Sequence, residues 1–359
     1  MKIILNRTEL LIALNASIKA IGNGAIIPIL GSYLFEISKT SVNITGGNMS
    51  VFITAQCSLK SDTDMAVCIP AIKLQRIVSA LPDQELTMTF DNDIVKITCD
   101  TGRYSIPYVS GSDYPAVEIV DSTYLRLPDG LLPEAINKTA FAIFADTTRD
   151  NLAGLHISCT NGILRIEATD THVLVTMQIA TNSEYFDLLI PKATVPILSG
   201  FDLDVVDIAY NKNLITFKTS SFVITSRLAE AVFPNVDGVI PRENPVKVVI
   251  DRAVMLSAVR RVSILSNTNG LIKMIVSDGL ITLSCCDTEL SQESEESLKA
   301  KTIGELTIGL MGSQLASVLE KIDAVNIYIE GSTEKRAVLI SDRQKIETDL
   351  FLIMPLMLN

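Results

Sequence analysis

The sequence predicts an α+β fold built from three tandem copies of one domain, and two internal similarities support this prediction. The first joins three stretches that resemble one another, "ILNRTELLIALNASI", "RLPDGLLPEAINKTA" and "VIDRAVMLSAVRRVS". The second joins three predicted strands that close in the same register, at Asn48, Asp170 and Asp287. Similarity at a regular spacing indicates one structural unit used repeatedly. The predicted domains therefore cover residues 1–121, 122–244 and 245–359.

Each third of the chain repeats once more within itself. A predicted strand leads each time into a predicted helix, and it ends at Leu5, Ile69, Leu127, Ile190, Ile250 or Leu310. Five positions later the chain has Leu10, Leu74, Leu132, Val195, Met255 or Leu315. Eight positions later it has Ala13, Ile77, Ala135, Leu198, Ala258 or Val318. Positions three apart lie on one helix face, so each helix is predicted to pack that face on a sheet.

The segments between the predicted helices alternate polar and apolar residues. Examples are "ELTMTFDNDIVKITC" and "VNIYIEGSTEKRAVLISD". Alternation of this kind predicts antiparallel hairpins with polar turns. The predicted architecture is six βαβββ units paired into three domains. A row of such units tends to curve, and a two-fold dimer can close it into a ring.

Composition and charge exclude several classes of protein. The 359 residues are 48% hydrophobic and 20% charged, which is ordinary for a folded chain of two or three domains. The N-terminal stretch "MKIILNRTELL" is too polar for a signal peptide, and no window reaches the roughly 20 apolar residues of a membrane span. We expect a cytoplasmic protein. The net charge of −11 argues on average against nucleic acid, although a local basic face is compatible with it.

Cysteine and histidine usage argues against a metal site. No two cysteines form a CxxC pair, and the chain has only two histidines. Cys285 and Cys286 are adjacent on a predicted strand, so they point to opposite faces and cannot ligate one metal together. We expect all six cysteines to be buried as small apolar residues, at Cys57, Cys68, Cys99, Cys159, Cys285 and Cys286.

The C-terminal stretch "FLIMPLMLN" carries no charge. It is too short to span a membrane, and Pro355 would break a helix there. Two interpretations remain. The stretch "ETDLFLIMP" is a last strand buried in a sheet, or the tail lines a surface groove in which another molecule docks.

Several motifs, taken in their order along the chain, resemble the bacterial DNA polymerase sliding clamps, the beta subunits of DNA polymerase III. They are "IIPILGSYLFEI", "IPAIKLQRIVSALP", "SDYPAV", "EATDTHVL", "RLAEAVFPNVDGVIP" and the terminal "MPLML". The resemblance covers the whole chain and depends on this order together with the repeat. It implies a head-to-tail homodimeric ring of six domains around duplex DNA, with helices lining the hole. It also implies a processivity factor without catalytic activity or cofactor, loaded by a separate ATP-driven machine.

The resemblance implies a groove that binds short peptide motifs of partner proteins. The partners would be the catalytic subunit of the replicative polymerase, the clamp loader, other polymerases and repair proteins, and their motifs carry a Gln and a few large apolar residues. Carried over position by position, the groove residues are Arg149, Leu152, Thr169, Thr171, His172, Val173, Leu174, Pro234, Gly238, Val239, Ser313, Leu352, Ile353, Met354, Pro355, Leu356, Met357 and Leu358. Family members often have Arg where this chain has Val173, Gly238 and Met357, which predicts a more apolar groove.

The resemblance also assigns contacts to DNA and to a second copy of the chain. The candidate DNA-facing cations are Lys19, Lys73, Arg76, Lys138, Lys192, Arg260, Arg261 and Lys321. Each of them could equally be an ordinary solvated helix residue. Acidic residues crowd the predicted outer strands, as in "DTELSQESEES", which reconciles the net charge with a positive lining that slides along phosphates. The predicted dimer contact joins Tyr104 and Ile106 on an edge strand to Ile264 and Leu265 of the other copy.

Two other functions are compatible with parts of the sequence. Asp170 and His172, with Thr169 and Thr171, could form a proton-transfer set, because residues two apart on a strand face the same side. No nucleophile motif, phosphate loop or metal-ligand spacing accompanies them. The second alternative is a β-rich repeat scaffold that binds other molecules without encircling DNA.

Overall fold

The computed structural model describes residues 1–22, 27–61, 63–121, 123–125, 127–146, 148–203, 205–287, 290–342 and 349–358. Contacts divide the chain into two compact units. The first unit contains Met1–Leu131 and Gly200–Leu228, and the second contains Leu132–Ser199 and Ala229–Asn359.

The helices and strands are numbered in chain order. They are β1 Lys2–Asn6, α1 Arg7–Ser17, β2 Ser32–Ile37, β3 Ser41–Gly47, β4 Val51–Ser58, β5 Lys60–Ser61, β6 Met65–Pro70, α2 Ala71–Ala80, β7 Glu85–Asp91, β8 Ile94–Thr98, β9 Arg103–Pro107, β10 Val109–Ser110, β11 Thr123–Leu125, α3 Leu131–Thr139, β12 Gly154–Thr160, β13 Ile163–Thr169, β14 Val173–Ala180, β15 Phe186–Pro191, α4 Val195–Leu198, β16 Asp207–Tyr210, β17 Leu214–Lys218, β18 Phe222–Arg227, β19 Val246–Asp251, α5 Arg252–Val262, β20 Leu271–Ser277, β21 Leu280–Asp287, β22 Gln292–Lys299, β23 Lys301–Ile303, β24 Leu306–Met311, α6 Gly312–Glu320, β25 Asn326–Gly331, β26 Val338–Ser341 and β27 Asp349–Ile353.

This order confirms the predicted repeat, because a strand, a helix and three strands recur six times along the described chain. The first predicted inner helix position is buried in every repeat, and the second is buried in all but one, where Ile77 is half-buried. Leu10, Leu74, Leu132, Val195, Met255 and Leu315 are each at most 1% exposed. The predicted hairpins are present as the β7–β8 and β25–β26 pairs. Burial of one helix face against a sheet is thus the packing rule of every repeat.

The first unit contains two antiparallel sheets. Their strand orders are β5-β1-β7-β8-β9 and β10-β6-β2-β3-β4-β18-β17-β16-β11. Helices α1 and α2 lie side by side, and the Arg7 guanidinium joins them by donating to the carbonyl oxygens of Val78 and Ser79. Strand β9 lies at the edge of the five-stranded sheet.

The second unit contains a nine-stranded and a four-stranded sheet. Their orders are β15-β12-β13-β14-β27-β26-β25-β19-β23 and β22-β21-β20-β24. The final strand β27 lies between β14 and β26, inside the larger sheet. Each nine-stranded sheet thus takes part of its strands from residues 122–244. The two compact units therefore do not coincide with the three sequence repeats.

The cysteines fulfil most of the prediction made for them. Five are buried, whereas Cys286 is exposed, which corrects its predicted burial. Its neighbour Cys285 is buried, as expected for opposite faces of β21. Among the described residues, no three His, Cys, Asp or Glu side chains are arranged to hold a metal ion. No helix in the described ranges is long and apolar enough to cross a membrane.

Candidate functional site

An open groove of about 570 Å³ lies in the second unit. Its lining combines the ends of β13, β14 and β27 with residues before β12 and after β18. The lining residues are Arg149, Asn151, Leu152, Thr169, Thr171, Val173, Leu174, Pro234, Asn235, Val236, Val239, Leu352 and Met354. Most of them are apolar, and Arg149 is the only charged residue in this set. Such a lining fits a ligand that presents large apolar side chains.

The turn between β13 and β14 forms one rim of the groove. The Asp170 carboxylate accepts hydrogen bonds from the backbone N–H groups of His172 (2.8 Å) and Val173 (2.6 Å). Thr169 Oγ1 donates to the Val173 carbonyl oxygen and accepts from the Thr171 N–H. These bonds stabilise the turn, in which Thr171 has a positive φ of 80°. Because Asp170 caps backbone amides, a structural role for this segment is favoured over proton transfer.

The opposite wall is the groove strap, which we define as residues 229–240, the irregular segment that follows the end of β18. Phe233 and Val236 of the strap are buried in one apolar cluster with Leu152, Leu174 and Leu352 of the groove floor. Wall and floor therefore share a core, so a shift of the strap would change the shape of the groove.

The end of the chain is held beside the groove by backbone hydrogen bonds. The Met354 N–H donates to the His172 carbonyl oxygen at 2.7 Å, and the Leu356 N–H donates to that of Gly309 at 2.8 Å. A Cβ atom at Gly309 would lie 2.5 Å from the Leu356 carbonyl oxygen. This close approach therefore requires glycine on β24.

The C-terminal stretch contains the predicted strand and also contributes residues to the groove lining. Its first part is strand β27, which pairs with β14 and β26 inside a sheet. Leu352 and Met354 also line the groove. The strand interior and the groove floor are therefore one structure.

Some of the predicted groove residues lie outside the lining. They are His172, Gly238, Ser313, Ile353, Pro355, Leu356, Met357 and Leu358. Ile353 is fully buried and does not line the groove, unlike Leu352 and Met354 on either side of it. Leu358 lines a second cavity, beside β20 and β21. His172, Gly238, Ser313 and Met357 are exposed.

Sequence reasoning missed three residues that line the groove, Asn151, Asn235 and Val236. Two of them lie inside the motif "RLAEAVFPNVDGVIP", between residues that were predicted. The motif was therefore a sufficient signal, had it been taken as a continuous segment. Asn151 directly precedes the predicted Leu152.

The predicted cations of the first unit differ in how free their charges are. Lys73 and Arg76 are exposed on α2. The Lys19 ammonium donates to the Gly200 carbonyl oxygen and lies 4.1 Å from the centre of the Phe201 ring. Partial burial there lowers the pKa of Lys19.

In the second unit, Lys138 is a correction to the predicted DNA-facing set. Its ammonium lies 2.6 Å from both Glu134 Oε1 and Asp349 Oδ2, and the residue is 8% exposed. Burial opposes the charge, but the hydrogen bonds to the two carboxylates outweigh burial and raise the pKa of Lys138. A buried ammonium shared by two carboxylates is not available to a phosphate.

The remaining cations of the second unit are bonded but accessible. Arg260 contacts Glu320 at 2.7 Å, and Arg261 forms two 2.7 Å bonds to Glu296, while both arginines are exposed. The hydrogen bond from Arg261 lowers the pKa of the Glu296 carboxyl. Lys192 and Lys321 donate to the Ala145 carbonyl oxygen and to Asn137 Oδ1, each at 2.8 Å.

The predicted dimer residues are only partly accessible. Tyr104 is 37% exposed on the edge strand β9, and Ile264 is 76% exposed before β20. Leu265 is half-buried. Ile106 is 3% exposed and belongs to the core of the first unit, so its side chain is not available to a partner. This corrects its predicted role, although its backbone remains at the sheet edge.

Comparison with known proteins finds the same similarity along the whole chain. Models for the N-terminal, central and C-terminal domains of the DNA polymerase III beta subunit match residues 1–118, 126–235 and 237–356. The beta sliding clamp of Streptococcus pneumoniae serotype 4 is 26% identical over 99% of both chains. That of Synechocystis is 27% identical over 85% of this chain and 86% of its own. The crystal structure of the DNA polymerase III subunit beta from Pseudomonas aeruginosa shares the fold, with a TM-score of 0.95, 24% identity and 100% of both chains covered.

Proposed function

The chain belongs to the DNA polymerase III beta subunit family, and we propose that it binds its partner proteins in the groove of the second unit. As a family member it is a DNA sliding clamp, a processivity factor for the replicative polymerase. A tether of this kind acts by effective concentration, because it keeps the polymerase near the primer end without taking part in the chemistry. We take its domains to be residues 1–121, 122–244 and 245–359.

The apolar lining of the groove carries this proposal. A short peptide gains most of its binding energy from a few anchors in apolar pockets. Leu152, Leu174 and Leu352 supply a buried floor for such anchors. The exposed Asn235 at the wall can bond to a peptide glutamine or backbone. Arg149 is exposed and can bond to a carboxylate of the partner.

The groove is suited to a partner peptide with little net charge. Val173 is buried, and Gly238 has no side chain to offer. Met357 is exposed but uncharged. At these positions the chain contributes apolar surface and no cation, so an acidic peptide gains little from them. We expect affinity to follow the size of the apolar anchors.

Contact with DNA is assigned to the accessible cations. They are Lys19, Lys73, Arg76, Lys192, Arg260, Arg261 and Lys321. Lysine and arginine bind phosphates independently of base sequence, which allows sliding and makes the affinity fall with salt. Lys138 is left out of this set because its ammonium group is already bonded to two carboxylates, those of Glu134 and Asp349.

Closure by a second copy is assigned to strand β9 of one copy and the region of Ile264 and Leu265 of the other. Three features support this assignment. β9 ends its sheet, Tyr104 and Ile264 expose apolar surface, and Arg103 of β9 has acidic counterparts in Glu293 and Glu295 of the edge strand β22. Opposite charges on two sheet edges favour one register of pairing.

The groove proposal is tested by deleting Pro355–Asn359. The probe is the fluorescein-labelled peptide Gln-Leu-Ala-Leu-Phe, and the control peptide has Ala in place of both Leu and Phe. The deletion removes the Leu356–Gly309 bond that holds the tail beside the groove. We expect the affinity for the probe to fall by at least about tenfold, while the solution mass stays the same. Equal affinity of the truncated and full chains would show that the groove assignment is wrong.

A further inference from the structure

A cluster of charged side chains with a buried centre, His156 and Glu167, lies beside the groove strap. His156 of β12 is 6% exposed, and its Nδ1 lies 3.1 Å from Oε2 of Glu167 on β13, which is itself 3% exposed. The other ring nitrogen, Nε2, lies 3.2 Å from Oδ1 of Asp187 on β15. The imidazole therefore bridges two carboxylates across neighbouring strands.

The two contacts of the His156 ring are satisfied together in one form of the ring. An ionised carboxylate only accepts hydrogen bonds, and the imidazolium is the form that offers a donor on each nitrogen. The second oxygen of Glu167 accepts from Thr176 Oγ1 at 3.1 Å. Without the second ring proton, the ring could donate to only one of the two carboxylates, and the cost would fall on Glu167, which is buried, because Asp187 is exposed to solvent.

The cluster is connected to the strap at two points. The His156 ring stacks on Phe233, with centroids 4.5 Å apart and planes 14° from parallel. At the other end of the strap, Asp237 bonds to Arg165 Nη1 at 2.8 Å, and the same nitrogen lies 4.0 Å from Glu167. Between these two points lie Pro234, Asn235 and Val236, which line the groove.

We propose that His156 is a positioning residue for the groove, and that its protonation sets how firmly the strap holds the shape in which partner peptides bind. This inference rests on the proposed function of the groove. The ring itself is not part of the groove lining. It acts through Phe233, which joins the strap to the apolar floor.

The direction of the pH dependence follows from the charges that face the ring. Glu167 and Asp187 face it directly, and Arg165 and Asp237 lie beside Glu167. The bridge is complete when the ring carries two protons and loses one bond when the pH rises. Peptide affinity is therefore expected to fall as pH increases through the range in which histidines titrate, about pH 5 to 8.

The first experiment measures hydrogen exchange in the free protein and does not depend on any partner. His156→Phe keeps a ring that can stack on Phe233 but removes both donors. Glu167→Gln keeps the size of its side chain and removes one anion, and it serves if His156→Phe folds poorly. We expect strap amides to exchange at least about fivefold faster in either folded variant. Unchanged protection of residues 229–240 in a folded variant would overturn the proposal.

The second experiment measures the affinity of the labelled peptide Gln-Leu-Ala-Leu-Phe across the same pH range. The wild type should lose about fivefold in affinity as the pH rises, and His156→Phe should bind more weakly with no such slope. His172→Gln tests the other histidine of the chain, which lies in the turn at the groove rim; its affinity can differ from that of the wild type, but a slope that comes from His156 should persist in it. A slope that disappears in His172→Gln but persists in His156→Phe overturns the inference. If the wild type does not bind the peptide at all, the proposed function fails, and hydrogen exchange still decides the role of His156.

Discussion

Lys138 shows how a single residue can match a sequence pattern and still have a different role. It lies on a helix like Lys73 and Arg76, and the one partner visible along the chain, Glu134 four residues earlier, is an ordinary surface pairing. What buries its charge is Asp349, which is 211 positions away in sequence. A partner at that separation is invisible to any argument from local spacing. The sequence predicted that these helices carry cations, but it did not predict which of the cations are free to bind a phosphate of DNA.

Replacing Lys138 by Met should therefore reduce stability rather than DNA binding. Asp349 and Glu134 would each lose a charged hydrogen bond, and the free energy of unfolding is expected to fall by about 2 kcal/mol. Lys73→Met is the matched control, with unchanged stability but weaker, less salt-dependent DNA binding. Urea unfolding and DNA binding at two salt concentrations measure both effects. A Lys138→Met chain as stable as the wild type would contradict the assignment.

The cysteines give a second residue-scale prediction, because only one of them is exposed. Burial, with the nearby charge of Glu9, raises the pKa of the Cys57 thiol to about 12, and burial with Asp113 nearby raises that of Cys68 to about 11. These thiols are not ionised near neutral pH and are shielded from reagents. Maleimide labelling of the native protein should modify Cys286 first, as read by mass spectrometry of peptides. In Cys286→Ser the fast labelling should disappear, and fast labelling of Cys57 would refute the burial of that residue.

At the scale of elements, apolar spacing predicted the helices and their buried faces but not their lengths. Helix α4 has the same two inner residues as the others, Val195 and Leu198, yet it covers only those four positions. Pro196 fits the first turn of a helix, and Gly200 follows shortly after its end. Two buried residues one turn apart are enough to pack a helix on the sheet. The spacing of apolar residues therefore does not predict how long the helix is.

The C-terminal stretch was ambiguous in sequence for a similar reason. An uncharged apolar segment is compatible with a buried strand and with a docking surface, because both need apolar side chains. The same strand serves both, since Leu352 and Met354 line the groove while Ile353 between them is fully buried and outside the lining. Periodicity therefore predicted the strand, and the groove assignment came from the order of motifs.

Strand β24 holds the tail through a glycine, and this contact can be tested with one methyl group. Gly309→Ala would place a Cβ 2.5 Å from the Leu356 carbonyl oxygen and push the tail away from β24. Affinity for the labelled peptide should fall about fivefold because the tail shifts beside Met354. Gly31→Ala is the control, since a Cβ there meets no atom within 4 Å, and it should bind like the wild type. Fluorescence anisotropy measures both, and equal affinity for Gly309→Ala would show that the tail position does not matter.

At the scale of the whole molecule, the repeat predicted six units, whereas the sheets cross the boundaries between repeats. Strands β11 and β16–β18 extend a sheet of the first unit, and β12–β15 extend a sheet of the second. Sequence similarity shows which segments fold into the same structural unit. Hydrogen bonding between strands of different repeats leaves no periodic signal in the sequence. The partner groove is the consequence, because it combines β13 and β14 of the middle repeat with β27 of the last.

Ring closure by a second copy predicts that the protein is a dimer in solution. Light scattering at micromolar concentration should give a mass near twice 39.0 kDa. Ile264 is 76% exposed in the single chain, and burial against a partner would stabilise a dimer by about 2 kcal/mol for this side chain. Ile264→Asp should instead place an unpaired carboxylate in the contact and yield a monomer.

The matched control for Ile264→Asp is Tyr185→Asp. Tyr185 is 73% exposed, a similar fraction, but it lies in the middle repeat and belongs to neither of the predicted contact segments. The Tyr185→Asp chain should remain a dimer, and both variants should remain folded, although the monomeric one should unfold at a lower temperature because it loses the stabilisation of the dimer contact. A monomeric wild type would leave the exposed surfaces of Tyr104 and Ile264 without their assigned partner. A dimeric Ile264→Asp would mean instead that the closing contact involves a different edge of the molecule.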